Sequence, residues 1–440
     1  MIKKLILFTM LIILAHFSFS QSFDKNKLDA YFDTLSKYNK FMGSVAIAQN
    51  GHLIYNRTLG FADINEQQKA NENTKYRIGS ISKTFTATLI FKAIEEKKIG
   101  LDQTIQKFFP DIKNAVKITI SNLLYHRSGI PDFTDDKEEF LKWHTQPKTE
   151  KEMLTMISKG GIDFEPDTQS DYSNSNYLLL SYILEKTFKM PYAQILDKYI
   201  AKPLALKNTF LGKKINSKNN EANSYRFERD WKLEDETDIS IPIGSGGIVS
   251  TPIDLVKFST ALFGGKVISL KSLAQMKTLN GKYGMGISAI PFYDKAGFGH
   301  SGSIDGFSAT LSYFNDGNIA YALTSNGTNF NNNSISLAVL SAVFNKDYSI
   351  PDFKTVEQST TGLNKYLGTY ASTSIPITIT ITKDNTTLIA QATGQPAIRL
   401  SSKGNHEFIF EDAGIILAFN PAENQMTLKQ GGKEFKFTKE

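Results

Sequence analysis

The chain has 440 residues, 41 % hydrophobic and 21 % charged, a globular composition with material for more than one domain. Its formal net charge of +6 comes without a long basic run, so nucleic-acid binding is not indicated. The absence of cysteine excludes disulfides, thiol catalysis and lipid attachment through an N-terminal cysteine.

Met1-Ile2-Lys3-Lys4 is a short basic start, and the next charge is Asp24. Between them Leu5 to Ala15 forms an apolar core of signal-peptide length, and Ser18 and Ser20 occupy the two positions a signal peptidase reads. Cleavage before Gln21 is expected, making residues 1–20 a leader and the mature chain periplasmic or secreted. The run is too short for a comfortable permanent span, so no membrane anchor is expected after cleavage.

Leu28, Tyr31, Phe32, Leu35 and Tyr38 recur at helical spacing and predict an amphipathic first helix. Gly43 to Ala48 reads as a strand, Asn50-Gly51 as a tight turn and His52 to Gly60 as the antiparallel partner. A helix from Ser80 to Glu96 follows, with Gly100 as its stop signal. Residues 101–263 are mainly helical with long loops, clearest over Tyr177 to Phe188. Strands return near Gly284 to Ser288, Gly306 to Phe314 and Ile319 to Ser325, before an apolar helix from Ile335 to Phe344. This order predicts an α+β unit over residues 21–350, a sheet flanked by helices with a helical domain inserted over 101–263.

A polar stretch from Lys346 to Gly362 contains the linker, residues 351–362. Beyond it Ile377, Ile379 and Ile381 alternate with Thr378, Thr380 and Thr382. Phe408 and Phe410, Met426 and Leu428, and Phe435 and Phe437 repeat that alternation, with Asp384-Asn385 and Gly431-Gly432 as turns. Residues 363–440 are therefore expected to form a small all-β domain, a barrel or a sandwich, its apolar positions serving as core.

The chemistry concentrates at Ser80-Ile81-Ser82-Lys83. Residues three apart share one helix face, so the Lys83 amine can sit beside the Ser80 hydroxyl. A serine needs a neighbouring base, and lysine serves only where burial or nearby positive charge favours its neutral form. Alone the pattern is weak, and Ser22-Phe23-Asp24-Lys25 is an accidental copy.

Tyr172-Ser173-Asn174 and His300-Ser301-Gly302 follow in order, with Leu123 to Pro131 and Gly246 to Thr251 as further landmarks. With these, the chain resembles the serine β-lactamase and penicillin-binding protein superfamily, in the branch of class C β-lactamases, D-alanyl-D-alanine carboxypeptidases, D-aminopeptidases and related esterases. The resemblance covers most of residues 24–345 and implies the β-lactamase/transpeptidase-like fold. It implies Ser80 as the acylating nucleophile and Lys83 with Tyr172 as the general-base pair. It further implies that Asn174 bonds Lys83 and the substrate amide, and that Ser80 and Ser303 supply the backbone N–H groups of an oxyanion hole. His300 and Gly302 are then substrate-binding positions, with His300 also in the catalytic set.

Class C β-lactamases usually carry Lys where His300 stands. A histidine is only partly charged near neutrality and can donate a neutral hydrogen bond, which favours a peptidase or esterase. The expected function is an exported serine hydrolase forming an acyl-enzyme with small amides, esters or D-amino-acid peptides. Alternatives are a true β-lactamase and a penicillin-binding sensor that does not turn over. His126 is read as a structural hydrogen-bonding residue and Asp171 as a solvated loop carboxylate. His52, His144 and His406 have no metal-ligand spacing, and no phosphate-binding loop stands out, so neither metal nor other cofactor is expected. The expected partner is a small-molecule or peptide substrate, and its identity depends on irregular loops from Asp132 to Asp171 and from Asn216 to Ile241.

Overall fold

A computed structural model describes residues 23–228, 230–353, 362–410, 413–430 and 433–440. The leader, its cleavage point, Ser22 of the accidental motif, most of the linker and the Gly431-Gly432 turn lie outside the described residues.

Helix α1 (Lys25–Lys37) is capped by Asp24, whose side chain accepts from the Lys27 N–H, and it buries Leu28, Tyr31, Phe32 and Leu35. Strands β1 (Phe41–Gln49) and β2 (His52–Leu59) meet through Asn50 and Gly51. Both turn residues have positive φ, 51° and 80°, as the tight hairpin connection requires. After the helical region come β3 (Ser288–Phe292), β4 (Lys295–Ile304), β5 (Phe307–Phe314) and β6 (Ile319–Thr328). They complete a six-stranded sheet in the order β3-β4-β5-β6-β1-β2, antiparallel throughout.

Helix α2 (Ser82–Glu95) and helix α3 (Asn174–Phe188) pack with the inner face of this sheet, in a core that includes Ala46, Phe85, Leu89, Leu179 and Leu311. On the outer face α1 and α5 (Asn332–Val343) cover Val45, Ile47, Phe314 and Tyr321. Helix α4 (Pro252–Phe263) lies against β1, β5 and β6. The end of the stretch assigned to the helical insertion therefore belongs to the sheet layer.

Three expectations move. Helix α2 ends at Glu95, within one residue of its expected end, but the stop is Lys97 and not Gly100: Lys97 takes the left-handed conformation (φ 56°) and Lys98 N–H bonds back to the Ala93 carbonyl. The strand expected from Gly284 to Ser288 begins at Ser288, because Gly286 has φ 74° and approaches the backbone of Lys83. Packing of the first unit runs past residue 350, since Phe353 is buried with its ring 5.6 Å from that of Tyr38 and 5.4 Å from that of Phe330.

The C-terminal strands, from Gly368–Ala371 to Lys433–Lys439, form a closed eight-stranded barrel. Closure runs through the Tyr370 and Lys439 pairing. The alternating residues point inward as core: Ile379, Ile381, Phe408, Met426, Leu428 and Phe437 are buried, and Tyr366 packs with them. Among the described residues no helix is long and apolar enough to cross a membrane.

Candidate active site

Ser80 sits in the 3₁₀ turn Gly79–Ile81 that leads into α2. Gly79 has φ 50°, and a Cβ there would lie 2.6 Å from the Ser303 amide nitrogen. A Cβ at Gly302 would lie 2.0 Å from the Ile78 carbonyl oxygen and 3.0 Å from the Ser80 nitrogen. Strand β4 thus runs in backbone contact with the turn that carries Ser80.

The three-residue spacing brings Lys83 to Ser80 as the helix geometry predicts. Its ammonium donates to Ser80 Oγ (3.0 Å), Asn174 Oδ1 (2.6 Å) and the Ser245 carbonyl (2.8 Å). Those three bonds use its full donor capacity. Lys83 is fully buried, and that burial lowers its pKa to about 7 against the opposing pull of Asp132. Both protonation states are therefore accessible near neutrality.

Asn174 opens α3, and its orientation is fixed by a residue that sequence reasoning did not single out. Asp132 Oδ2 accepts from the Asn174 backbone N–H (2.9 Å) and from its Nδ2 (2.8 Å), which turns Oδ1 toward Lys83. Asp132 follows Pro131 at the end of a landmark stretch, but nothing in its spacing points across 42 residues to Asn174.

Tyr172 hydrogen-bonds Ser80 through its hydroxyl, and burial raises its pKa well above the usual phenol value. The Lys83 Nζ lies 4.8 Å from its ring centroid. Behind Tyr172 stands His126, stacked at 4.4 Å between ring centroids and 27° between planes. His126 is buried, and its Nδ1 accepts the Ser173 N–H at 3.1 Å. Burial, with Lys83 and His300 nearby, holds its pKa far below the ordinary value. The hydrogen-bonding role expected of His126 is present, and it is aimed at the backbone of the Tyr-x-Asn segment itself.

His300 lies with its ring 6.3 Å from that of Tyr172. Its Nδ1–H donates to the Ser301 carbonyl at 2.5 Å. Burial, and then the Lys83 charge, press its pKa to about 4, so the imidazole is neutral at pH 7 rather than partly charged. Asp171 is exposed, as expected, and its N–H donates to the His126 carbonyl (2.9 Å). His144 is engaged with the Leu141 carbonyl (2.9 Å) and His406 with the Tyr366 hydroxyl (2.8 Å).

Two cavities meet at Ser80 and Ser303. One, of about 970 Å³, contains Asn174, Phe133, Lys137, Glu234 and Asp235 in its wall. The other, of about 920 Å³, contains Tyr172, His300, Ser301 and Asn332. Such an arrangement can acylate a serine: a nucleophile within reach of a poised amine, a phenol beside both, and room on either side.

A family model described as Beta-lactamase matches residues 28–344. Penicillin-binding protein 4* of Bacillus subtilis (strain 168) is 24 % identical over 432 residues, covering 91 % of this chain and 94 % of its own. Teichoic acid D-alanine hydrolase of Staphylococcus aureus is 28 % identical over 250 residues, 56 % of this chain and 61 % of its own. The crystal structure of D-amino acid amidase from Ochrobactrum anthropi SV3, complexed with L-phenylalanine, aligns with a TM-score of 0.64 and 26 % identity, covering 73 % of this chain and 99 % of that one.

Proposed function

This chain belongs to the beta-lactamase family of serine hydrolases, and from that premise we propose that it is exported and hydrolyses D-aminoacyl amides or esters through an acyl-enzyme on Ser80. The observation that carries the reading is the buried Lys83 amine, 3.0 Å from Ser80 Oγ with a pKa near 7.

Neutral Lys83 takes the Ser80 proton as Oγ attacks the acyl carbonyl carbon. The N–H groups of Ser80 and Ser303 receive the developing oxyanion, each such donor contributing about 3 kcal/mol. Tyr172 gives its hydroxyl proton to the departing amine or alcohol and is reprotonated with the proton that Lys83 took from Ser80, while Asn174 keeps Lys83 in place. Water then attacks the acyl-enzyme, and the same groups act in reverse to free Ser80. Lys83 and Tyr172 titrate as one coupled unit in this scheme.

Two observations support the choice of substrate. The relatives include a protein named for D-alanine hydrolysis from teichoic acid and one named as a D-amino acid amidase. His300, neutral and with Nδ1–H committed to Ser301, is a poor anchor for the free carboxylate that a β-lactam presents. The basic, apolar leader from Met1 to Ala15 supports export, and a mature N-terminus at Gln21 read by mass spectrometry checks it.

Labelling by a fluorophosphonate, compared between wild type and Ser80→Ala, tests the mechanism, and equal labelling overturns it. Hydrolysis of D-alanine amide and D-alanine methyl ester, set beside a chromogenic cephalosporin, tests the substrate. Faster turnover of the cephalosporin would return the reading to a β-lactamase.

A further inference from the structure

We infer that Arg77 is a positioning residue for the acyl-transfer step: it grips the end of β4 and so fixes where the Ser303 N–H stands relative to Ser80. This rests on the reading of that N–H as a donor to the oxyanion.

Arg77 ends the short strand Tyr76–Arg77, three residues before the nucleophile, and its side chain is fully buried. It is absent from the walls of both cavities, so it does not meet substrate there. Its Nη1 donates to the Thr237 carbonyl (2.7 Å) and to Asp305 Oδ2 (3.2 Å). Its Nη2 donates to the Lys213 carbonyl (3.1 Å) and to Glu236 Oε1. The four hydrogens of the two terminal nitrogens thus serve four acceptors on three segments of the chain. A lysine, with three donors on one atom, does not provide that pattern.

Asp305 is the acceptor that connects this network to the site. It opens the two-residue turn between β4 and β5, with φ 51°, and Ser303 stands two residues before it. Thr237 ties the same carboxylate through its N–H (3.2 Å) and its hydroxyl (2.5 Å). On the other side of Ser303, Gly302 lies against the Ile78 carbonyl, with no room for a Cβ between them. Arg77 and Ile78 are chain neighbours. Together they hold β4 at Asp305 and at Gly302, and Ser303 lies between the two holds. Buried ion pairs add little net stability, because desolvation offsets their attraction. What this one supplies is a fixed geometry, and a misplacement of about 1 Å in such a site costs up to about 100-fold in rate.

The rate at which a fluorophosphonate labels Ser80 tests this without reference to the natural substrate. Ser80 Oγ attacks phosphorus, fluoride leaves, and the phosphoryl oxygen takes the oxyanion position. Arg77→Lys keeps the charge and loses the fork. Its labelling is expected to slow about 10- to 100-fold and still run to completion. Asp305→Asn keeps a residue that tolerates the left-handed turn and removes only the charge facing Arg77. A slowing of about three- to tenfold is expected, and this variant decides the matter where Arg77→Lys does not fold. In both, the inflection of the labelling rate near pH 7 stays in place, because Lys83 is untouched. A merely structural role would instead lower the fraction finally labelled at an unchanged rate. That outcome, or a wild-type rate in either folded variant, overturns the inference. Wild type that labels at Ser80 yet leaves D-alanine methyl ester intact refutes the proposed substrate alone, and the two variants still decide the role of Arg77. Wild type that does not label refutes both.

Discussion

In the first unit, the fully buried side chains include Arg77 and Lys83, and polar atoms such as Ser312 Oγ and Asn332 Oδ1 have no partner. In the barrel, the described core is aliphatic and aromatic, and its buried tyrosine hydroxyls are matched: Tyr366 with His406 at 2.8 Å, Tyr370 with the Tyr366 carbonyl at 2.9 Å. Among the described residues, unpaired buried polar side-chain atoms occur in the first unit and not in the barrel. Buried charge and unpaired polar atoms weaken a fold, and the buried Lys83 amine beside Ser80 is one such group in the first unit.

Four experiments test that contrast, ranked by their effect on turnover. Lys83→Met removes the amine that faces Ser80, and kcat is expected to fall by about 10³-fold or more with the fold retained. A modest loss, read by steady-state kinetics, would mean that burial of this amine has no catalytic use.

His126→Phe keeps a ring against Tyr172 and removes the acceptor for the Ser173 N–H. A fall of about 10- to 100-fold in kcat is expected, with little change in KM. Placed in a Tyr172→Phe background, the same change should cost almost nothing further, because His126 acts through Tyr172 as a positioning residue. Additive losses would instead assign His126 to general stability.

The third experiment is a pH profile. A base must be neutral, and the lowered Lys83 pKa places that transition near 7. The rate constant kcat/KM should rise about tenfold per pH unit below 7 and level off above it. Neutral His300, with its pKa near 4, adds no step between pH 5 and 8. A second inflection near 6 that disappears in His300→Asn would break this assignment.

Phe408→Ala has the smallest expected effect on turnover. It should destabilise the barrel by about 3–5 kcal/mol, read as earlier unfolding in denaturant, while kcat/KM stays within about twofold. A parallel loss of activity would show that the two regions are not independent.

Much of this architecture was legible in the residues. The first hairpin declared itself through Asn50-Gly51, the barrel through alternating Ile, Thr and Phe, and the Ser80–Lys83 contact through helical spacing. Segments with weaker alternation were not visible, such as the barrel strands Ile398–Gly404 and Ile415–Asn420. The stop signal of α2 was misplaced, because a lysine, not a glycine, took the left-handed position. The supporting shell was the least legible. Asp132 reaches Asn174, Ser245 reaches Lys83 and His126 reaches Tyr172 only through the tertiary fold. The second cavity was hidden for a related reason: Ser301, Ser303, Ser308, Thr310 and Ser312 look like ordinary strand residues until register lays them on one face.

The close approach at Gly79 and Gly302 has a consequence for how such an enzyme changes over generations. A side chain at Gly302 would meet the Ile78 carbonyl, and one at Gly79 would meet the backbone of Ser303, with no flexible group able to yield. Mutation therefore has no small step available where β4 meets the Ser80 turn. The cavity walls, built from replaceable side chains, leave many. Under selection for a new client, variants should accumulate in those walls, with the Ser80 turn inherited intact.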